Sequence, residues 1–202
     1  MIRLVLADDQ ALVRGALAAL LSLEGDLEVV GEAGDGQAAI DLATAQRPDV
    51  VLMDVDMPHV DGITATAAIS ALPPPTPRIL IVTTFGRPGY LRRALQAGAS
   101  GFVVKDTPAA QLADAVRRIH AGLRVVDPQL ATDSLLTGDS PLTDREADVL
   151  RAARHGGTVS DIAKEVRLSE GTIRNHLSAA IGKTGARTRA DAVRIADDHG
   201  WL

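Results

Sequence analysis

The sequence contains no cysteine in 202 residues. That excludes disulfides and thiolate metal sites and fits a reducing cytosol. Aromatic residues are nearly as scarce, with two Phe, one Tyr and one Trp, so any core must be aliphatic. No apolar run approaches the roughly 20 residues of a membrane span. The opening MIRLVLADDQ meets acidic residues too early for an export signal. Internal repeats and low-complexity tracts are also lacking. What remains is a chain that is 46% hydrophobic, which is enough for a real core. Its length suits two domains of about 100–150 residues each.

The net charge of −5 looks wrong for a nucleic-acid ligand, but it is unevenly spread. Residues 1–137 hold 11 Lys/Arg against 16 Asp/Glu, whereas residues 138–202 hold 10 of each. Within the second part, Arg167, Arg174, Lys183, Arg187 and Arg189 face a lone Glu170 across residues 167–189. A local basic stripe governs phosphate contact more than the overall charge does.

Five short apolar runs read as buried strands: Ile2–Ala7, Glu28–Ala33, Val50–Met53, Ile79–Val82 and Gly101–Val104. Unbroken Val/Ile/Leu runs are expected where helices cover both faces of a sheet. Helical spacing lies between and after them, at 11–22, 36–45, 61–71, 90–97 and 109–121. This alternation predicts an α/β doubly wound, five-stranded parallel sheet. The glycines, prolines and serines of 123–140 predict a linker with a short helical patch at 129–136. Beyond it the pattern is wholly helical, at 143–155, 158–166, 169–184 and 188–198. Thr143 and Glu146 have capping-box spacing. The expected domains are therefore 1–122 and 141–202.

Ligands of such sheets sit at the C-terminal strand ends. Asp8 and Asp9 follow the first strand, Asp54 ends the third, Thr83 the fourth and Lys105 the fifth. Three carboxylates at one edge resist ionisation unless a cation joins them. Oxygen-only ligands suit Mg²⁺. With Lys105 as a positive charge and Thr83 as a hydroxyl, the set is suited to holding a phosphoryl group on Asp54 as nucleophile.

The stretches LADDQ, VVLMDVDMPHVDG, ILIVTTF and AGASGFVVKD resemble the response-regulator receiver family. The resemblance implies a CheY-like fold with Asp54 as phosphoacceptor. It makes Asp8 and Asp9 the metal-binding acids and the Asp56 carbonyl a further ligand. Thr83 becomes the phosphate-sensing hydroxyl, Lys105 the catalytic lysine and Phe102 the aromatic switch, packing inward on phosphorylation. Pro58 and Gly62 match the family's loop after the phosphorylation site. The residue after Lys105 is Asp106 rather than proline, so that peptide is expected to be trans, because cis would cost about 3–4 kcal/mol. His59 is expected to be solvated. Phe85 is expected to shield the acyl phosphate from water.

The segment SDIAKEVRLSEGTIRNHLSAAIGKTG carries a second pattern. Ile173, Leu177 and Ile181 are spaced by four and face a core. Leu168-Ser169 makes a turn, and Ser169 caps the helix. Arg174, Asn175 and Ser178 lie opposite the apolar face, with Lys183 near the end, as a major-groove reader requires. With PLTDREADVL and RTRADAV, the segment resembles the NarL/FixJ (LuxR-type) effector family. That resemblance implies an all-α four-helix helix-turn-helix domain, with Thr172, Arg174, Asn175, His176, Ser178 and Lys183 towards DNA and Glu146 as a structural acid. Ser178 stands where some relatives carry a second basic residue. Thr184 replaces a usual leucine, which is expected to loosen the helix end. TTFGRPGY and the terminal GWL resemble the DesR-like branch.

Together the resemblances imply a transcriptional regulator of the cytoplasm. A sensor histidine kinase would donate phosphate to Asp54, and the phosphorylated chain would form a homodimer on double-stranded promoter DNA. Asp54-Val55-Asp56 also mimics the paired aspartates of haloacid-dehalogenase-type phosphatases. That reading leaves Asp8, Asp9 and the whole C-terminal part without a role, so the chain is expected not to be an enzyme. A third reading keeps the fold but makes DNA binding independent of phosphorylation, and the intact pocket argues against it.

Overall fold

The computed structural model describes every residue except 85–87, 129, 133–139 and 155. The chain divides into two compact units, 1–86 with 91–132 and 87–90 with 133–202.

From the start of the chain, strands and helices alternate: β1 (Ile2–Ala7), α1 (Ala11–Leu21), β2 (Leu27–Ala33), α2 (Gly36–Gln46), β3 (Val50–Met53), α3 (Gly62–Ser70), β4 (Arg78–Thr83), α4 (Pro88–Gln96), β5 (Gly101–Val104), α5 (Ala109–His120) and β6 (Val125–Val126). The sheet is wholly parallel, in the order β2-β1-β3-β4-β5-β6. It therefore has six strands, not the expected five. The sixth pairs only Gly101 with Val125 and Phe102 with Val126. Two residues carry no periodicity, so this part of the expected linker gave no strand signal. The expected helical patch at 129–136 lies largely outside the described residues, as does Phe85.

The strands are apolar on both sides because helices cover both. Leu4, Leu6, Leu52, Leu80 and Val82 pack with Leu21 of α1 and with Leu112, Val116 and Ile119 of α5. Asp35 and Asp61 start α2 and α3 as N-caps, accepting from the amides of Ala38 and Thr64 at 2.8 Å each. Such caps contribute about 1 kcal/mol each.

The second unit contains α6 (Asp144–Ala153), α7 (Val159–Val166), α8 (Glu170–Thr184) and α9 (Arg189–Asp198). Thr143 and Glu146 close the expected capping box, and Thr158 with Asp161 closes another. Ile162, Ile173, Leu177, Ala180, Ala192 and Ala196 form a separate core with Val149 and Leu150. Arg167 ends α7 in the left-handed conformation at φ 55°, and Ser169 caps α8 two residues later. Thr184 does not loosen α8. Its hydroxyl bonds the carbonyls of Ala180 and Ile181, and Gly185 closes the end at φ 66°, which glycine adopts without strain.

Candidate functional site: an acidic pocket and an exposed helix

The pocket is an extension of the sheet ladder. The amide of Asp8 donates to Ala33 at 3.0 Å, that of Asp54 to Ala7 at 2.8 Å, and that of Lys105 to Thr83 at 2.8 Å. Each residue just past a strand is thus held by the neighbouring strand's last carbonyl. Asp8 and Asp54 follow adjacent strands. The backbone of α3 closes against them: a Cβ on Gly62 would lie 1.7 Å from the Asp54 carbonyl oxygen.

Lys105 Nζ lies 2.7 Å from Asp54 Oδ2 and 2.8 Å from Asp8 Oδ2, and all three side chains are nearly buried. The other Asp54 oxygen accepts from the Val55 amide at 2.7 Å. Burial raises the Asp54 pKa above its usual value, and the Lys105 contact only partly offsets this. Burial pushes Lys105 the other way, but the Asp54 and Asp8 carboxylates together hold its pKa above the ordinary lysine value.

Carboxylate oxygens of Asp8, Asp9 and Asp54 converge within 4.8 Å of one another. This oxygen-only donor set fits a hard divalent cation such as Mg²⁺. Asp56 is exposed, and its carboxylate lies outside that cluster among the described residues. Thr83 is fully buried, and its hydroxyl has no hydrogen-bond partner among the described residues. A buried, unpaired hydroxyl beside such a pocket is an unused donor. Phe102 is also fully buried, so it needs no movement to reach the interior. The Lys105–Asp106 peptide is trans. His59 is exposed, with φ 65°.

On α8, Ile173 and Leu177 are buried, and Ile181 packs against their core. Arg174, Asn175, Ser178 and Lys183 are exposed, while Thr172 and His176 are half-buried. Three of these groups are already engaged. Arg174 Nη2 lies 2.7 Å from Glu170 Oε2, one turn earlier. Lys183 Nζ lies 2.7 Å from Glu146 Oε2 on α6. The Glu146 carboxylate is buried, which raises its pKa, but Lys183 and the Thr143 amide outweigh that and leave it lowered. Lys183 thus ties α8 to α6. The Thr172 hydroxyl is shared with Ser169 at 2.8 Å.

Residues 4–117 match the response regulator receiver domain family, and residues 140–196 match the luxR family of bacterial regulatory proteins. Over 202 residues and the full length of both chains, the sequence is 42% identical to the uncharacterized transcriptional regulatory protein YvfU of Bacillus subtilis. It is 40% identical, again over both full lengths, to the transcriptional regulatory protein DesR of the same organism. Among solved structures, the response regulator ChrA of a heme-sensing two-component system aligns with a TM-score of 0.59 at 32% identity, covering 100% of this chain and 98% of that one. The RcsB response regulator in complex with DNA aligns with a TM-score of 0.67 at 26% identity, covering 98% of each chain. The chain belongs to the LuxR-type two-component response regulators: it is a transcriptional regulator that joins a receiver domain to a helix-turn-helix DNA-binding domain.

Proposed function

We propose that Asp54 is the phosphoacceptor and that its phosphorylation controls a homodimer's binding to promoter DNA. The observation that carries this reading is the contact of Lys105 with both Asp54 and Asp8, beside the unpaired Thr83 hydroxyl. An Asp54 carboxylate oxygen attacks the phosphorus of a kinase phosphohistidine. The P–N bond breaks, and its electron pair stays on the imidazole. Lys105 then faces the new phosphoryl oxygens, and the free hydroxyl of Thr83 donates to one of them. Asp8, Asp9, Asp54 and the Asp56 carbonyl would hold Mg²⁺, which when bound supplies positive charge to the same oxygens. Thr83 moves towards the phosphoryl group as it donates, and Phe102, buried on β5, passes that movement to the outer face. The receiver runs past β6 to Thr132, so the linker begins after that residue.

In the second unit, Arg174 and Asn175 are the base-reading candidates. Thr172, His176 and Ser178 flank them, and Lys183 acts mainly by fixing α8 on α6. A cytoplasmic setting follows from these partners, and no helix among the described residues is long and apolar enough to cross a membrane.

The test is acetyl phosphate treatment with Mg²⁺, read by intact mass, size-exclusion chromatography and binding to DNA selected from a random pool. The wild type gains one phosphoryl group and dimerises, and Asp54→Asn does neither. DNA binding unchanged by phosphate would favour the phosphorylation-independent reading. Arg174→Ala should cost about 1–3 kcal/mol against the selected site and relax the preference at one base position.

A further inference from the structure

Arg14 is the sole charged residue of α1, a helix that otherwise reads Ala, Leu, Val and Gly. It sits in the first turns, where a cation works against the helix dipole. The start of α1 has no side-chain cap, since Gln10 makes no such bond. Arg14 therefore needs a reason to be there, and its contacts supply one. Its Nη1 donates to the backbone carbonyl of Asp8 at 2.5 Å, and its Nε meets Glu32 Oε2 on β2 at 3.2 Å. The side chain is 19% exposed.

The carbonyl of Asp8 belongs to the peptide that joins Asp8 to Asp9. With that bond, every polar atom of Asp8 is engaged: the amide with Ala33, Oδ1 with the Gln10 amide, Oδ2 with Lys105 and the carbonyl with Arg14. Asp9 differs. It is exposed, and its carboxylate has no hydrogen-bond partner among the described residues. Its approach to Asp8 and Asp54 depends on the backbone that carries it. Rotating the Asp8–Asp9 peptide would swing Asp9 out of the cluster.

We infer that Arg14 is a positioning residue, which fixes the Asp8–Asp9 peptide between α1 and β2 so that the Asp9 carboxylate is delivered to the cation site. The inference rests on the proposed Mg²⁺ role of that site. An alternative makes Arg14 a mere counter-charge to the acids. The two differ in sign. Removing a nearby cation strengthens binding of another cation, whereas releasing a ligand's tether weakens it.

The experiment is calorimetric titration of the full-length protein with Mg²⁺, without phosphodonor, with thermal melts to check folding. Arg14→Met should weaken Mg²⁺ binding about tenfold, the low end of effects from residues that orient metal ligands. Arg14→Lys keeps the charge but cannot hold both Glu32 and the carbonyl, so it should fall between the wild type and Arg14→Met. Unchanged or tighter binding in Arg14→Met overturns the inference. If that variant does not fold, Arg14→Lys decides: weaker binding supports positioning, and wild-type binding overturns it. A wild type that binds no Mg²⁺ would instead sink the receiver-site reading itself.

Discussion

Lys105 and Lys183 make the same kind of contact, an ammonium 2.7 Å from a buried carboxylate, yet they belong to different physical regimes. Lys105 is 9% exposed and touches two carboxylates, whereas Lys183 is 37% exposed and touches one. In the receiver, charge is buried at strand ends and held by the backbone ladder. On α8, charge is spread along an exposed face and held by side chains. The first arrangement concentrates a field where a phosphoryl group can sit. The second leaves guanidinium and amide groups accessible to a long polyanion. Exposed pairs such as Arg174–Glu170 contribute only about 0.3–0.5 kcal/mol, so DNA can displace Glu170 at little cost. Taking Lys105 from Asp54 and Asp8 would instead leave charge in a poorly solvated place.

If backbone sets the pocket, the largest effect should come from a backbone position. Gly62→Ala puts a methyl 1.7 Å from the Asp54 carbonyl oxygen. Neither partner is a flexible side chain, so the start of α3 must move. We expect a loss of about 3 kcal/mol in receiver stability, at the upper end of overpacking costs, and a sharp fall in phosphoryl incorporation. Urea denaturation and intact mass would check both. A stable, fully phosphorylatable variant would break the contrast between the two lysines.

The matching test on the other side is Glu146→Ala. It removes the second half of a capping box and the anchor of Lys183. The expected loss is about 2 kcal/mol, from a lost cap and the Thr143 amide left without its acceptor. It should fall on the C-terminal unit alone. Because Glu146 is held below its ordinary value of 4.5, its contribution is present above that pH and fades as pH falls below it. Melts between pH 7 and about pH 3 should show a slope in the wild type that is shallower in Glu146→Gln, with Asp161 and Asp191, also held below their ordinary values, supplying the remainder.

The same contrast explains what could be read before the structure. Asp8, Asp9, Asp54, Thr83 and Lys105 were legible because a parallel sheet brings all its C-terminal strand ends to one edge, whatever the side chains do there. Ile173, Leu177 and Ile181 were legible because helical spacing alone turns them one way. Three features depend on tertiary packing and left little trace. β6 is two residues long. Arg14 reads as a stray cation until its side chain is seen turning back to Asp8. Lys183 carries the same spacing signal as a DNA-facing lysine, and only the approach of α6 occupies it. Thr184 went wrong for a local reason: its hydroxyl substitutes for a leucine's packing by bonding the helix's own carbonyls.

The smallest expected effect separates stability from signalling most cleanly. The Thr83 hydroxyl is fully buried with no partner among the described residues. Thr83→Val keeps the shape, removes that unmet donor, and should stabilise the receiver by about 1 kcal/mol. Asp54 and Lys105 are untouched, so phosphoryl incorporation should persist. If Thr83 reports the phosphate, however, the modified variant should no longer dimerise or bind DNA more tightly. Denaturation, intact mass and sizing on one sample would show a protein that is more stable, phosphorylated and silent. A variant less stable than wild type would instead mean that the hydroxyl is already bonded. The pocket would then lack the idle donor that distinguishes it from the fully occupied cations of α8.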